Sequence, residues 1–366
     1  MKKQLLMIPG PCPLSEEILV AMSRPMVPHY GAEWAYNFNK VREDLKPLFG
    51  TKEEVYILVG SGYLAVEAGV NALAGPGDRI LVVTNGFFGD QIAMLAQHYG
   101  IEAVFLKEEW GRPIDPTAVE TALKDKKIKA VAVVHGDTSV GILNPVKEIG
   151  SITKRLGIPL FVDAVCSIGG TEVLMDEWGI DICATASQKG LSAPPGLAIV
   201  TVSKRAWEVI ESRETSPMGW YLNLKNWRVM VEENRGYHPH LTTMAVNNIW
   251  ALQTSLKQFY EEGIPQRFQR HRKLSRYLNE GLRGLGLEIL ATGEPLPLVT
   301  AVKCPNKLKS SEIISYLKEK HNILIAGGLG TYKDSIFRVG LMGNSARKEA
   351  IDDVLNALRD FIKHQK

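Results

Sequence analysis

Cysteine is scarce in this chain, and its spacing gives no pattern typical of a metal site. Cys12, Cys166, Cys183 and Cys304 lie far apart, with no CxxC pair and no zinc-ligand spacing. Cys166, Cys183 and Cys304 each sit in or beside an apolar run, which predicts buried thiols in a reducing compartment. We therefore expect no metal ion.

Long apolar runs are also missing. No apolar stretch approaches the roughly 18 residues that a membrane-spanning helix needs. The first apolar run stops at Pro9-Gly10-Pro11, which is too early for the core of a signal peptide. These two absences predict a cytoplasmic protein that has no membrane partner.

The chain has little excess charge of either sign. It carries 43 Lys and Arg against 40 Asp and Glu, a net charge of +3, and the basic residues are scattered. Such a surface has no field for binding polyanions, so we expect no nucleic-acid partner. What the chain does have is 366 residues, 45% of them hydrophobic, enough for a large core in about two domains.

Short apolar runs alternate with amphipathic stretches after Pro28. The runs that predict strands are Val55–Val59, Ile80–Val83, Ala103–Leu106, Lys129–Val134, Pro159–Val162, Ile182–Ala186 and Leu197–Val202. The stretches that predict helices include Tyr63–Leu73, Phe88–Tyr99, Pro116–Leu123 and Pro145–Leu156. This alternation indicates an α/β fold with a mainly parallel sheet flanked by helices.

The pattern changes after about Arg205. Two long helices are predicted, Met244–Glu262 and Pro265–Leu285, and Gly263 and Pro265 interrupt the helical periodicity between them. Two strands and a closing helix then follow, at Leu298–Val302, Ser335–Val339 and Ala346–Lys363. We therefore expect a short N-terminal segment, a large α/β domain and a smaller C-terminal α+β domain, at residues 1–14, 15–262 and 263–366.

Ligands of open α/β sheets bind where the strands end, so the loops after the strands are the places to look for chemistry. The first such loop is Gly60-Ser61-Gly62-Tyr63. Its glycines let backbone N–H groups approach a ligand at the start of a helix, and Ser61 adds a hydroxyl, as in a phosphate cradle. The loop is neither a dinucleotide fingerprint nor a Walker loop. An ordinary tight turn remains the alternative for this loop.

Two further loops offer groups that could contact an aromatic ligand. In Asn85–Gly89, Phe88 could stack on a heteroaromatic ring, and packing in the core is the alternative. In His135–Ser139, Thr138 could donate a hydrogen bond to a phenolate oxygen. We expect His135 itself to be a hydrogen-bonded structural histidine at a strand end.

Two charged residues complete the set. Asp163 ends an apolar strand, where a carboxylate is unfavourable unless it pairs with a cation such as a protonated pyridine nitrogen. Lys189 lies in a turn rich in glycine and proline between apolar segments, where burial would lower its pKa as a Schiff-base lysine requires. A helix cap or loop role for Asp163, and an exposed loop position for Lys189, are the alternatives. Together the loops supply every part of a pyridoxal-phosphate site.

At these residues the sequence resembles the class V aminotransferases of the fold-type I pyridoxal-phosphate superfamily, in particular the alanine–glyoxylate and serine–pyruvate group. The resemblance runs over essentially the whole chain, from Pro9-Gly10-Pro11 to Phe337–Gly343. Its motifs are GSGY, NGFFG, HGDTSVG, VDAVCSIGG, SQKGLSAPPG and FRVGLMG.

The resemblance implies a role for each residue around the cofactor ring. Lys189 would carry pyridoxal phosphate covalently, and Asp163 would pair with the ring nitrogen. Phe88 would stack on one ring face, Val165 would cover the other, and Thr138 would contact the ring oxygen.

The resemblance also implies the residues that hold the phosphate and the substrate. Those on the phosphate would be Ser61, Gly62, Tyr63 and Gln188, joined by Thr243 and His240 from a partner subunit. Arg338 would bind the substrate carboxylate with backbone near Gly10, and the N-terminal segment would contact the active site or the partner. The protein would be a homodimer that transfers an amino group from alanine or serine to glyoxylate or pyruvate by a ping-pong mechanism.

Three positions depart from the family pattern. Tyr63 and Phe88 stand where the family usually has His and Trp, and His240–Thr243 replaces a Tyr-His-His-Thr segment. The last change touches the expected cross-subunit part of the pocket and leaves the substrate open. A 2-aminoethylphosphonate–pyruvate aminotransferase, a cysteine desulfurase, which usually has His where Gln188 stands, and a non-catalytic binding protein remain as alternatives.

Overall fold

A computed structural model describes residues 4–125, 127–305 and 308–364. The strands are β1 (Leu5–Leu6), β2 (Val55–Val59), β3 (Arg79–Thr84), β4 (Glu102–Lys107), β5 (Ile128–Val134), β6 (Gly136–Asp137), β7 (Ile142–Leu143), β8 (Leu160–Asp163), β9 (Ile182–Ala186), β10 (Leu197–Val202), β11 (Val299–Lys303), β12 (Ile323–Leu324), β13 (Ala326–Gly327) and β14 (Ile336–Gly340). The helices are α1 (Glu16–Met22), α2 (Ala32–Phe49), α3 (Gly62–Leu73), α4 (Phe87–His98), α5 (Pro116–Ala122), α6 (Val146–Leu156), α7 (Met175–Trp178), α8 (Lys204–Ser212), α9 (Leu224–Asn234), α10 (Val246–Glu262), α11 (Ile264–Gly284), α12 (Ser310–His321) and α13 (Lys348–His364).

A seven-stranded sheet forms the centre of the fold, in the order β2-β10-β9-β8-β5-β3-β4. The neighbours from β9 to β4 pair in parallel, and β10 runs antiparallel to both β2 and β9. Each of the seven strands predicted from the apolar runs is present, and the prediction of a mainly parallel sheet is confirmed. Because β2 runs in the direction of β9, the loops after β2, β3, β5, β8 and β9 emerge at one edge of the sheet.

Helices cover both faces of this sheet, which is why its strands are apolar at successive positions. On one face Val131 and Val133 of β5 join a core cluster with residues of α2, α6 and α10. On the other face Ala130, Ala132 and Val134 join a second cluster with residues of α3, α4, α8 and α9. A strand buried in this way must be apolar on both sides.

The last part of the chain builds a smaller layer. A three-stranded antiparallel sheet, β11-β14-β13, packs with α11, α12 and α13 around a core that also contains Met7. Strand β1 pairs in parallel with β12, so the start of the chain is held against this layer. Between α10 and α11 the break lies at Gly263, at a φ of 84°. The division at residues 14 and 262 stays a prediction.

All four cysteines are free thiols. Cys166 and Cys183 are buried as predicted, Cys12 is buried as well, and Cys304 is only half-buried. Among the described helices, none combines the length and the apolar character that crossing a membrane requires.

Candidate active site

A cavity of about 210 Å³ opens where the loops after β2, β3, β5, β8 and β9 meet. Of the predicted cofactor-binding residues, it is lined by Ser61, Gly62, Tyr63, Phe88, Thr138, Asp163, Val165, Gln188 and Lys189. Its other lining residues are Val66, Ile92, Val134, Gly136 and Cys166. The fold therefore brings together groups that are spread over more than a hundred positions of the sequence, because the carboxyl ends of these strands share one edge.

Asp163 is a buried carboxylate at the end of β8, inside this cavity. Its Oδ1 accepts a hydrogen bond from Val165 N at 2.9 Å. Burial raises the pKa of Asp163 to about 7, the charge of Asp137 adds to the rise, and that of Lys189 opposes it. A carboxyl in this state is a strong partner for a cation placed in the cavity, since a positive charge would favour its ionised form.

Lys189 lies in the loop between β9 and β10, and the N-terminal segment passes directly beside it. Its Nζ donates a hydrogen bond to Pro9 O. Cys12 N donates to Gln188 O at 3.1 Å, which fixes the segment on the loop. The side-chain oxygen of Gln188 is buried without a hydrogen-bond partner among the described residues. A hydrogen-bond donor on a ligand, or exchange of the amide oxygen and nitrogen positions, would give this buried atom a partner.

The start of α3 has the features of an anion site. Ser61 is the N-cap residue of α3, and its side chain makes no capping hydrogen bond to the first backbone N–H groups of the helix. A Cβ at Gly62 would lie 3.2 Å from Ala186 Cβ, so the glycine lets the helix start close to the loop of Lys189. Free N–H groups at a helix N-terminus attract phosphate through hydrogen bonds and the helix dipole.

Arg338 is buried in β14 beside the cavity without lining it. Its Nε donates to Gly327 O at 2.7 Å, and its Nη1 donates to Thr138 O at 3.2 Å. Burial lowers the pKa of Arg338, and the nearby Asp137 carboxylate acts in the opposite direction. The guanidinium is therefore held rigidly next to Thr138, which does line the cavity.

Asp137 is a residue that the sequence patterns did not single out. It is fully buried and accepts hydrogen bonds from Ser139 N at 2.8 Å, Ser139 Oγ at 2.5 Å and Phe88 N at 3.2 Å. Burial raises its pKa, and these donors oppose the rise. The sequence did carry a signal, because Asp137 comes three residues after the apolar end of β5, at the same edge of the sheet as Asp163.

Two histidines have surroundings that the sequence did not indicate. His240 is completely buried in its own chain, where its Nε2 accepts from Trp34 Nε1 at 2.9 Å and its Nδ1 lies 2.7 Å from Thr242 O. The expected contact of His240 with a partner's phosphate stays a prediction. The ring Nδ1 of His135 is buried with no partner among the described residues, so the expectation of a hydrogen-bonded ring was wrong for that atom.

Comparison with known proteins fits this arrangement. Residues 15–352 match the family described as aminotransferase class-V. The chain belongs to this family. Its relatives and structural neighbours include pyridoxal-phosphate aminotransferases of fold type I. This protein is therefore a pyridoxal-phosphate-dependent aminotransferase with the same fold, as predicted.

Individual relatives align with this chain over nearly its whole length. An uncharacterised aminotransferase of Methanocaldococcus jannaschii is 39% identical over 95% of this chain and 90% of its own. The alanine–glyoxylate aminotransferase of Rattus norvegicus is 33% identical over 99% of this chain and 88% of its own. The crystal structure of ureidoglycine–glyoxylate aminotransferase from Bacillus subtilis superposes with a TM-score of 0.93 at 32% identity, covering 100% of this chain and 95% of the other.

Proposed function

We propose that this aminotransferase moves an amino group from a small amino acid, alanine or serine, to a small 2-oxo acid, glyoxylate or pyruvate. One observation carries the proposal: Asp163, at the end of β8, and Lys189, in the loop after the neighbouring parallel strand β9, line the same cavity. The small acceptor is supported by the names of the rat and Bacillus subtilis relatives, both of which are glyoxylate aminotransferases.

We propose pyridoxal 5'-phosphate as the cofactor, because the cavity offers a partner for each of its parts. Lys189 would hold it covalently, Asp163 would pair with the ring nitrogen, Phe88 and Val165 would cover the ring faces, and Thr138 would contact the ring oxygen. Ser61, Gly62, Tyr63 and Gln188 would hold the phosphate at the start of α3. When bound, the cofactor supplies an electron sink for the bonds of the substrate α-carbon.

Residues of the chain would bind the substrate and move the proton. Arg338 would bind the substrate carboxylate through its planar guanidinium and so fix the orientation of the α-carbon. Lys189 Nζ would take the proton from that carbon as general base. The N-terminal segment around Gly10 covers Lys189 and limits the access of water to it. Because donor and acceptor use the same residues in turn, ping-pong kinetics are expected.

We also propose a homodimer with shared active sites. Large apolar side chains are exposed near the start of α2 and in the loop after α9, among them Met26 (72%), Tyr36 (70%) and Tyr237 (59%). An exposed group of this kind is typical of a subunit interface. Thr243, which is exposed in the same loop after α9, would reach the partner's phosphate.

Two tests address the proposal. Protein loaded with pyridoxal phosphate should convert alanine or serine with glyoxylate or pyruvate, and its reciprocal plots at several acceptor concentrations should be parallel lines. The K189A variant should lose both turnover and the cofactor absorbance near the visible edge. Preference for 2-aminoethylphosphonate as donor would favour the alternative aminotransferase, and an unchanged spectrum in K189A would remove Lys189 from its role.

A further inference from the structure

Helix α4 begins without a cap of its own. Its N-cap residue is Gly86, which has no side chain to accept a hydrogen bond from the first turn. The first N–H groups of a helix have no acceptor within the helix and need one from elsewhere. This end of α4 matters because its second residue is Phe88, which lines the cavity.

The missing cap comes from the loop after β5. Ser139 Oγ accepts from Phe87 N at 2.9 Å, and Asp137 Oδ2 accepts from Phe88 N at 3.2 Å. Asp137 in turn holds Ser139 through both its backbone N–H and its hydroxyl. Two residues that lie about fifty positions away in sequence therefore do what an N-cap side chain normally does.

The glycine at position 86 is a consequence of this contact. A Cβ there would lie within 2.5 Å of Asp137 Cγ and 2.9 Å of Ser139 Oγ. Its φ of −168° is ordinary extended backbone, so the glycine is not required by conformation. It is required by the close approach of the Asp137 carboxylate, which occupies the place of the side chain.

The same loop touches the other side of the site. Thr138 stands between the two capping residues, lines the cavity and accepts a hydrogen bond from Arg338 Nη1 at 3.2 Å through its carbonyl oxygen. Residues 137–139 thus connect the aromatic ring at the start of α4 with the guanidinium of β14. The nearby Asp137 carboxylate also balances part of the Arg338 charge.

We propose that Asp137, with Ser139, is a positioning residue for the transamination reaction: it caps α4 from the loop after β5 and thereby fixes Phe88 against the cofactor ring. The proposal rests on the proposed function for the role of Phe88, and on the hydrogen bonds above for the cap itself. Asp137 would touch neither cofactor nor substrate; it would act through Phe88.

The cap can be tested without cofactor. In the apoprotein, amide hydrogen exchange at Phe87 and Phe88 reports the two capping bonds directly, because these amides have no acceptor within the helix. D137A and S139A should each speed exchange there by about tenfold or more, while amides of α10 stay unchanged. D115A is the matched control, since Asp115 caps α5 by accepting from Thr117 N at 2.9 Å, away from the cavity. Equal exchange in D137A and wild type would overturn the cap.

The positioning role needs a second measurement, a double-mutant cycle on cofactor binding. D137N and F88A should each weaken the binding of pyridoxal phosphate to the apoprotein by about tenfold. The double variant should be no weaker than F88A alone, because Asp137 acts through Phe88. The circular dichroism of the bound cofactor, which reports how it is held, should change alike in D137N and F88A.

The outcomes separate the two proposals. Additive losses in the double variant would show that Asp137 does not act through Phe88 and would overturn its positioning role. Wild-type protein that binds no pyridoxal phosphate would defeat the proposed function and with it this role for Phe88, while the exchange experiment would still decide the cap. D137N, which keeps the size of the side chain, guards against a loss caused only by unfolding of D137A.

Discussion

Gly10 and Lys189 are in direct contact. A Cβ at Gly10 would lie 2.6 Å from Lys189 Cδ and 2.8 Å from its Nζ, and the glycine has a φ of 108°. The N-terminal segment therefore approaches the lysine as closely as its backbone allows. No side chain other than hydrogen fits between them.

The variant G10A should displace Lys189 and lower kcat/KM by about a hundredfold, because a misplacement of about 1 Å has an effect of that size. Substitution at a positive φ also costs stability, so a control must share that cost. G77A is suitable, since Gly77 has a φ of 83° and a Cβ there would meet nothing within 4 Å. Steady-state kinetics and thermal unfolding of both variants are the measurements. Equal loss of activity in G77A would show that strain rather than contact with Lys189 is responsible.

The sequence did not predict this contact between Gly10 and Lys189. The family motifs placed Gly10 near the substrate, and apolar alternation predicted the seven strands of the sheet whose shared edge builds the cavity. Both are local signals. The pairing of β1 with β12, which brings Gly10 to Lys189, joins two-residue strands more than three hundred positions apart and has no local signature.

The surroundings of Asp137 and His240 also depend on contacts between residues that are far apart in the sequence. The capping role of Asp137 depends on Phe88 N, 49 positions away, so the sequence could at most indicate a buried carboxylate at a strand end. His240 was placed in the site by its position in a motif. Its burial is decided by contacts with Trp34 and Phe38 of α2, which no motif describes.

The raised pKa of Asp163 predicts a pH dependence of stability in the apoprotein. Its folded pKa of about 7 lies above the ordinary 3.8, so ionisation of Asp163 favours the unfolded chain. The destabilisation should grow as the pH rises from about 4 to about 7, by about 1.4 kcal/mol per pH unit, and stay constant above. Relative to wild type, D163N should therefore gain stability across that window.

Urea unfolding of both apoproteins between pH 4.5 and 8.5 measures this difference. Ionisable groups that do not interact with Asp163 are common to the two proteins, and their contributions cancel. Loading with pyridoxal phosphate should reverse the order at pH 8, because the ring nitrogen would then stabilise the Asp163 carboxylate and has no such partner in D163N. A difference that does not vary with pH would contradict the raised pKa.

Replacing Arg338 should separate substrate binding from cofactor binding. R338K keeps the positive charge but loses the planar fork that binds a carboxylate in two places. It should lower kcat/KM for alanine about tenfold to a hundredfold, mainly through a higher KM, because charge-assisted hydrogen bonds contribute about 1.5–3 kcal/mol each. Its affinity for pyridoxal phosphate should stay near that of wild type. A parallel loss of cofactor affinity would instead assign Arg338 to support of the Thr138 loop through its bond to Thr138 O.

Mixing two inactive variants tests whether the active sites are shared between subunits. T243E, at an exposed position, would place a carboxylate against the partner's phosphate and prevent cofactor binding by charge repulsion. K189A lacks the lysine in its own site. In a mixed dimer, the Lys189 of one protomer and the Thr243 of the other would form one intact site.

After unfolding and refolding at equal amounts, half of the dimers should be mixed, each with one of two sites intact, so about a quarter of the wild-type activity should return. Mixed dimers, verified by a tag on one variant, that show no activity would place Thr243 outside the partner's site.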